Sequence, residues 1–385
     1  MTTPGGTSHT CTTVKHPLRT PVADARRVII LGAGASAADG APLQAGLFRK
    51  YAEALRSNNG AGIHDSRETE LRSLFDMLWG VDIDADDLSK EYFPTFEEVL
   101  GLLELAYARG EFFKGFGGLQ QEATRGHEMR AHLVYLIATV LDDALRQGSK
   151  HHAKLVCSLK NLGWLPATAF VSLNYDLLID NSLRNVMNAE PDYAVTFRQN
   201  QNLCQTGPQN AATPLLKVHG SLNWLYCPTC NALDLFPGEK IVSEIAHNPG
   251  RMPCDSCTEP RVPIVIPPTF FKVMSNFYLQ QVWKRTEELL TKADHIIFCG
   301  YSFPDADLHL KYLLKRAEIN RREYAPPPEI FIVNEHTSKT NPQREAEQDR
   351  YIRFFRNKGL VRWTKLSFAD FAADPQLYSV KDSWL

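Results

Sequence analysis

The chain has 385 residues, 44% hydrophobic and 22% charged, the proportions of an ordinary folded domain. Its formal net charge of −2 builds in no overall attraction to nucleic acid or to an acidic membrane surface. No apolar run approaches the roughly 20 residues that cross a bilayer, and the length suggests about two or three domain-sized units, one of them an insertion.

Residues 1–25, rich in Thr, Pro and Gly and without an apolar signal core, read as a disordered leader. Eight cysteines without a secretory signal do not argue for disulfides, so a cytoplasmic, reducing location is expected. "RRVIILGAGAS" (26–36) is an apolar run ending in glycines, a buried strand feeding a tight turn. The pattern from there to 165 is helical. "TFEE" (95–98) is a capping box before "VLGLLELAYA", and Leu133, Leu136, Ile137, Val140, Leu141 and Leu145 keep one stripe. This predicts a helical insertion at 40–165 within a frame running from 26 to 385.

The frame resumes with "ATAFVSLNYD" (167–176), strand-like, and "LLIDNSLRNV", helix-like. "PLLKVHG" (214–220) is a short strand, the cysteine segment fills 225–262, and "RVPIVIPPTF" (261–270) is strand-like. An amphipathic helix at 276–293 precedes "HIIFCGYSFPDADLHLKYLLKRAE", which reads as strand, turn and helix. "EIFIVN" (329–334) is a last strand with a polar end. Strands alternating with helices predict an α/β fold with a doubly wound, Rossmann-like parallel sheet, whose ligands bind beyond the carboxyl ends of the strands.

The chemistry-bearing residues gather at those ends. Gly32 and Gly34, with Ala33 between them and Ser36 after, could bring backbone close to a pyrophosphate. They would equally serve as a plain strand-to-helix turn. The third glycine of the dinucleotide fingerprint is missing and no acidic strand end follows about 20 residues on, which disfavours a dehydrogenase. Asn174, Tyr175 and Asp176 end one strand and His219 another. Gly300 and Ser302 follow a third, before a helix led by Asp305 and Asp307, which also suit a plain cap; Asn334, equally a turn residue, ends the fourth. Cys227-x-x-Cys230 and Cys254-x-x-Cys257, 23 residues apart, have structural-zinc spacing. Four sulfur ligands close the coordination shell, so the metal would be a peg and His219 would act on something else.

Taken in order, the glycine turn, N-x-D, HG, paired Cys-x-x-Cys, G-x-S and the strand-ending Asn resemble sirtuins. The resemblance is greatest to the sirtuin-like NAD-hydrolase domains of prokaryotic antiphage defence proteins, and covers roughly 27–340 apart from the insertion. It implies NAD as substrate, with Gly32, Ala33, Gly34 and Ser36 around the phosphates and nicotinamide ribose. Asn174 and Asp176 would lie at the nicotinamide end, with Asn174 positioning a water. His219 would bond a ribose hydroxyl and act as base, and Gly300, Ser302 and Asn334 would line the adenosine half.

The chain departs from sirtuin deacylases in two places. Gly40-Ala41-Pro42-Leu43 stands where they carry Pro-Asp-Phe-Arg, and "IVIPPTFFK" stands where a Phe-Gly-Glu strand pairs with the acyl-lysine peptide. Pro267 and Pro268 have no N–H to offer such a peptide. The resemblance thus implies NAD glycohydrolysis to nicotinamide and ADP-ribose, depleting NAD in antiphage defence. An NAD-dependent protein deacylase and a non-enzymatic NAD or ADP-ribose sensor are the alternatives. Only about 50 residues follow the last expected strand, fewer than a usual sensing domain. Restraint is therefore expected from the insertion, from homo-oligomerisation, or from a partner such as an ATPase, helicase or Argonaute-like subunit. Neither direct nucleic-acid binding nor a membrane is expected.

Overall fold

The computed structural model describes residues 25–57, 66–111, 113–114, 129, 132–141, 148–198, 212–236, 253–265, 276–321, 325–334 and 340–384. The strands among them, in chain order, are β1 (Arg27–Leu31), β2 (Thr168–Ser172), β3 (Leu215–Lys217), β4 (Gly220–Tyr226) and β5 (Leu233–Leu235), then β6 (Val262–Val265), β7 (His295–Cys299), β8 (Glu329–Val333) and β9 (Val361–Trp363). Six of them form one parallel sheet in the order β3-β2-β1-β7-β8-β9.

The sheet forms where the apolar runs predict it. Val28 to Leu31, Ala169 to Val171, Ile297 to Cys299 and Ile332 to Val333 are completely buried, as strands covered by helices on both faces must be. The chain builds outward from β1 to β3, then returns to the other side of β1 with β7, β8 and β9. Between β1 and β7 the order reverses, and at such a switch point the loops part to leave a crevice. One strand of this sheet escaped the sequence reading. β9 is three residues, "VRW", too short to leave a period, and it pairs with β8 at the sheet edge beside a Thr364 Oγ1 to Ile332 O bond of 2.9 Å.

A second, antiparallel sheet has the order β5-β4-β6. The expected strand at 261–270 contributes β6 to this small sheet and not to the parallel frame; Pro267 and Pro268 lie outside the described residues.

Helices Gln44–Ser57, Ser66–Trp79 and Phe96–Arg109 and the helical stretch 132–141 bury their stripes against one another in a core of their own, including Phe48, Leu74, Phe75, Val99, Leu133, Leu136 and Ile137. The capping box forms: the Thr95 N–H donates to Glu98 Oε2 at 2.6 Å and the Glu98 N–H to Thr95 Oγ1 at 3.2 Å. Leu145 lies outside the described residues, as does the leader up to residue 24.

Helix Lys150–Asn161 behaves differently from the rest of the expected insertion. Its Leu155, Val156 and Leu159 join the core of the parallel sheet, and it packs on helices Leu178–Met187 and Phe368–Ala373. Its start is tied to the end of the β1 turn, because Asp39 accepts from the N–H groups of His151 (2.7 Å) and His152 (3.1 Å) and pairs with His152 Nδ1 at 2.6 Å. The two cores meet beside the strand ends, where Leu178, Leu222 and Val265 belong to the helical core and Tyr175 packs against it. No helix among the described residues is long and apolar enough to cross a membrane.

Candidate functional site

Register brings the motif residues into one row. Leu31 of β1 lies opposite Ser172 of β2 and Cys299 of β7, and Cys299 opposite Val333 of β8, so Gly32, Gly300 and Asn334 follow at the same level. Ser172 pairs with Lys217, and two residues beyond each come Asn174 and His219.

Asn174 is held by its amide. Its Nδ2 donates to Gly32 O at 2.9 Å and to Ser36 Oγ at 2.8 Å. The Ser36 hydroxyl in turn donates to Asp176 Oδ2 at 2.6 Å, and Asp176 Oδ1 accepts the Leu178 N–H at 3.0 Å. The chain N–H to O–H to carboxyl oxygen runs in one direction, which sets the amide's orientation. Both of these side-chain bonds leave from Nδ2, so Oδ1 is the atom Asn174 presents as an acceptor. Asp176 is buried with each of its carboxyl oxygens engaged by protein, so its geometry is that of a support for Ser36 and Asn174.

His219 is buried, with Nδ1 3.1 Å from the carbonyl of Leu173, the residue before Asn174. A carbonyl only accepts, so Nδ1 carries the proton and Nε2 is the basic nitrogen of the neutral ring. The neighbouring Val218 carbonyl is fixed by the Trp283 indole N–H at 2.8 Å.

The glycines have a reason visible only in three dimensions. A Cβ on Gly32 would stand 2.6 Å from Gly300 O, and one on Gly34 2.8 Å from Gly300 Cα. Gly300 has φ +63°, and its own Cβ would fall 2.7 Å from Gly34 Cα and closer still to Ala35 N. The Gly34 N–H donates to Gly300 O at 2.8 Å. The two turns therefore interlock across the switch point, and each glycine makes room for the other turn. Ala33 opens the five-residue helix Ala33–Ala37 and Ser36 is buried within it.

The G-x-S turn is held from behind by Asn334 and by three residues the motifs did not include. Asn334 Oδ1 accepts the Tyr301 N–H at 3.0 Å, and its Nδ2 donates to Tyr301 O at 2.9 Å and to Glu347 Oε1. Tyr351 Oη donates to the same Tyr301 carbonyl at 2.7 Å, and Arg350 Nη2 to Ser302 O at 2.9 Å. Asn334 is thus a brace for the turn, while Ser302 is exposed at its tip. Asp307 caps helix Leu308–Ile319 through Leu310 N and accepts from Tyr301 Oη at 2.9 Å, so its plain reading as a cap is the structural one. Glu347, Arg350 and Tyr351 lie on the polar helix Asn341–Phe354, whose sequence carries no sign of them.

The four cysteines come together, with their Sγ atoms all within 4.8 Å of one another. Cys227 and Cys257 stand 3.4 Å apart, as do Cys230 and Cys254. A tetrahedral ion with metal–sulfur bonds of about 2.3 Å places its sulfurs about 3.8 Å apart, so the cluster fits such an ion. The two knuckles are alike: Asn231 (φ +58°) and Thr258 (φ +65°), each just after the second cysteine, take the left-handed conformation. The Ser256 backbone N–H and then, against burial, the Arg198 guanidinium lower the Cys254 thiol to about 5. Arg198 also binds Asp234 at 2.7 Å, and Arg261 binds both Asp234 (3.1 Å) and Asp255 (2.7 Å), clamping the second knuckle to β5.

Residues 168–355 match the family model of a SIR2-like domain. Among solved structures the chain is similar to Sir2Tm bound to a propionylated peptide, with 12% identity, 90% of each chain covered and a TM-score of 0.41. It is similar also to a Sir2–p53 peptide–NAD+ complex (13%, 90% of each chain, 0.39) and to Sir2 bound to an acetylated peptide (12%, 90% of each chain, 0.38). Among curated proteins the sequence has no match. The matched residues, 168–355, include the N-x-D, HG, four-cysteine, G-x-S and Asn334 positions described above, and over that stretch the chain is similar to a SIR2-like domain.

Proposed function

We propose that the chain is an NAD+ glycohydrolase that releases nicotinamide and ADP-ribose. The observation that carries this reading is the pairing of a locked Asn174 amide, Oδ1 presented, with a buried His219 whose basic nitrogen is Nε2. Nicotinamide departs from a cationic ring: the C1′–N1 bond breaks, its electron pair neutralises the pyridinium, and the leaving group needs no acid. The transition state is oxocarbenium-like, so the site must supply an oriented water and one base. Asn174 Oδ1 accepts a hydrogen from the water whose oxygen bonds to C1′. His219 Nε2, through a ribose hydroxyl or directly, takes the proton released. Asp176 and Ser36 keep the amide in its orientation, and the turn braced by Asn334 forms the far wall, for the adenosine half. The interlocked turns of Gly32, Gly34 and Gly300, with Ala33 between the first two, let backbone line the crevice at the glycine positions.

The sequence supports water over an acyl acceptor, because "IVIPPTFFK" offers a poor partner strand for a peptide. The four cysteines we assign to structural zinc, with no ligand position left for substrate. A free-running NAD hydrolase would poison its host, which suits a gated role in antiphage defence. The gate has a physical route: Tyr175 and Leu178 beside Asn174, and Leu222 beside His219, pack into the helical core, so an oligomer or partner that shifts those helices shifts the site. The test is to incubate the protein with NAD, with and without acetyl-lysine peptide and candidate partners, and separate the products. Nicotinamide and ADP-ribose in equal amounts without peptide are expected. Acyl-ADP-ribose formed in step with NAD loss would restore the deacylase, and binding without turnover would favour a sensor.

A further inference from the structure

Among the described residues Lys217 is the one lysine in the set of largest fully buried side chains, and it sits inside an otherwise apolar strand end. Its Nζ pairs with Asp180 Oδ2 at 3.0 Å, and that carboxyl is also completely buried. The other Asp180 oxygen accepts from Tyr193 Oη at 2.8 Å. A buried ion pair of this kind is no aid to stability by itself, since apolar residues of the same volume commonly do as well or better. The pair must be understood through its remaining contact: Lys217 Nζ also donates to the backbone carbonyl of Asp176.

That contact joins the two halves of the site. Lys217 lies two residues before His219, and the carbonyl it holds lies two residues after Asn174. The preceding carbonyl, of Tyr175, is held by the Leu222 N–H at 3.2 Å, so both sides of His219 grip consecutive peptide groups of the same turn. The side chain of Asp176 meanwhile holds Ser36, which holds Asn174. We infer that Lys217, oriented by Asp180, fixes the Asn174–Asp176 turn against the His219 strand and is a positioning residue for the NAD cleavage proposed above, on which reading this inference rests. Lys217 touches no reacting atom; it sets the distance between the group that orients water and the group that takes its proton.

The test separates position from stability. Lys217→Met alone leaves Asp180 buried without its cation and lowers the melting temperature. The triple variant Lys217→Met, Asp180→Leu, Tyr193→Phe removes the three polar side-chain ends of the network together and recovers stability relative to Lys217→Met, but not the tether to Asp176 O. In the triple variant kcat for NAD is expected to stay down by about tenfold or more while KM changes little, as a shift within the site predicts. Amide hydrogen exchange should rise at 173–176 and not elsewhere in the sheet. A folded triple variant with wild-type kcat and wild-type exchange overturns the inference. Should it not fold, Lys217→Arg, which retains a charged donor, decides: protection at 173–176 and a kcat well above that of Lys217→Met support the tether, and a kcat no better than Lys217→Met overturns it. Wild-type protein that leaves NAD intact both alone and with candidate partners would sink the hydrolase reading, whereas the exchange measurement would still judge the tether.

Discussion

Replacing Gly300 by alanine probes the interlocked turns directly. Two costs add at this position. Gly300 has φ +63°, where a Cβ costs about 1–2 kcal/mol against the following carbonyl. The same Cβ would lie 2.7 Å from Gly34 Cα and nearer to Ala35 N, backbone atoms that cannot rotate aside, and forcing such a contact costs about 1–3 kcal/mol more. Gly163 supplies the control. It has φ +68° with nothing within 4 Å of its would-be Cβ, so Gly163→Ala carries only the first cost. Urea unfolding of the two variants should therefore place Gly300→Ala below Gly163→Ala by about 1–3 kcal/mol at an unchanged slope. The displaced turn also carries Gly32, whose carbonyl accepts from Asn174, so NAD turnover by the folded Gly300→Ala protein should fall by about tenfold or more, and that of Gly163→Ala should not. Equal stabilities of the two variants would refute the claim that the glycines are there to let one turn enter the other.

Asn174→Ala and His219→Ala should each still fold and lower NAD cleavage by about 100-fold or more, read as nicotinamide release beside thermal unfolding. Turnover within a few fold of wild type in either would remove that residue from the mechanism. Cys254→Ser should lower bound zinc, from one ion per chain by elemental analysis, and loosen the small sheet, seen as proteolysis near the second knuckle; metal-free wild-type protein purified without chelator would contradict this. Burial, the largest single influence on Asp39, works to raise its pKa, but the bonds from His152 and the His151 and His152 backbone outweigh it and hold the carboxyl below its ordinary 3.8. A depressed folded-state pKa contributes stability that is complete above about 3.8 and lost as pH falls through the lower folded value. Asp39→Asn should thus cost about 1–3 kcal/mol at neutral pH and flatten the acid limb of the stability profile; an unchanged acid limb would show that the bond network does not hold the start of helix Lys150–Asn161.

Most of the parallel frame was legible in the chain itself. Runs such as "VIIL", "IIFC" and "IFIV" are apolar at every position because both faces of the sheet are covered, and each ends in a polar or glycine residue because the next peptide enters the crevice. The cysteine spacing likewise foretold a four-thiol cluster, since two short knuckles can reach one ion wherever the intervening chain runs. Proximity was not legible. That Lys150–Asn161 belongs to the sheet and not to the insertion depends on Asp39 capping it from more than 100 residues away, and amphipathic periodicity does not say which core a stripe faces. "VRW" carries no period, so β9 is a strand only because β8 offers it an edge. The site divides in the same way. Asn174, His219 and the glycines announce themselves by type and place, but the engagement of Asp176 with Ser36, the bracing of Tyr301 by Asn334 and the reach of Lys217 to the Asp176 carbonyl are hydrogen bonds between distant segments. Local sequence decides which residues can sit at a strand end. Which of them face the crevice and which are spent holding the others depends on distances that exist only once the sheet has brought five strand ends into one row.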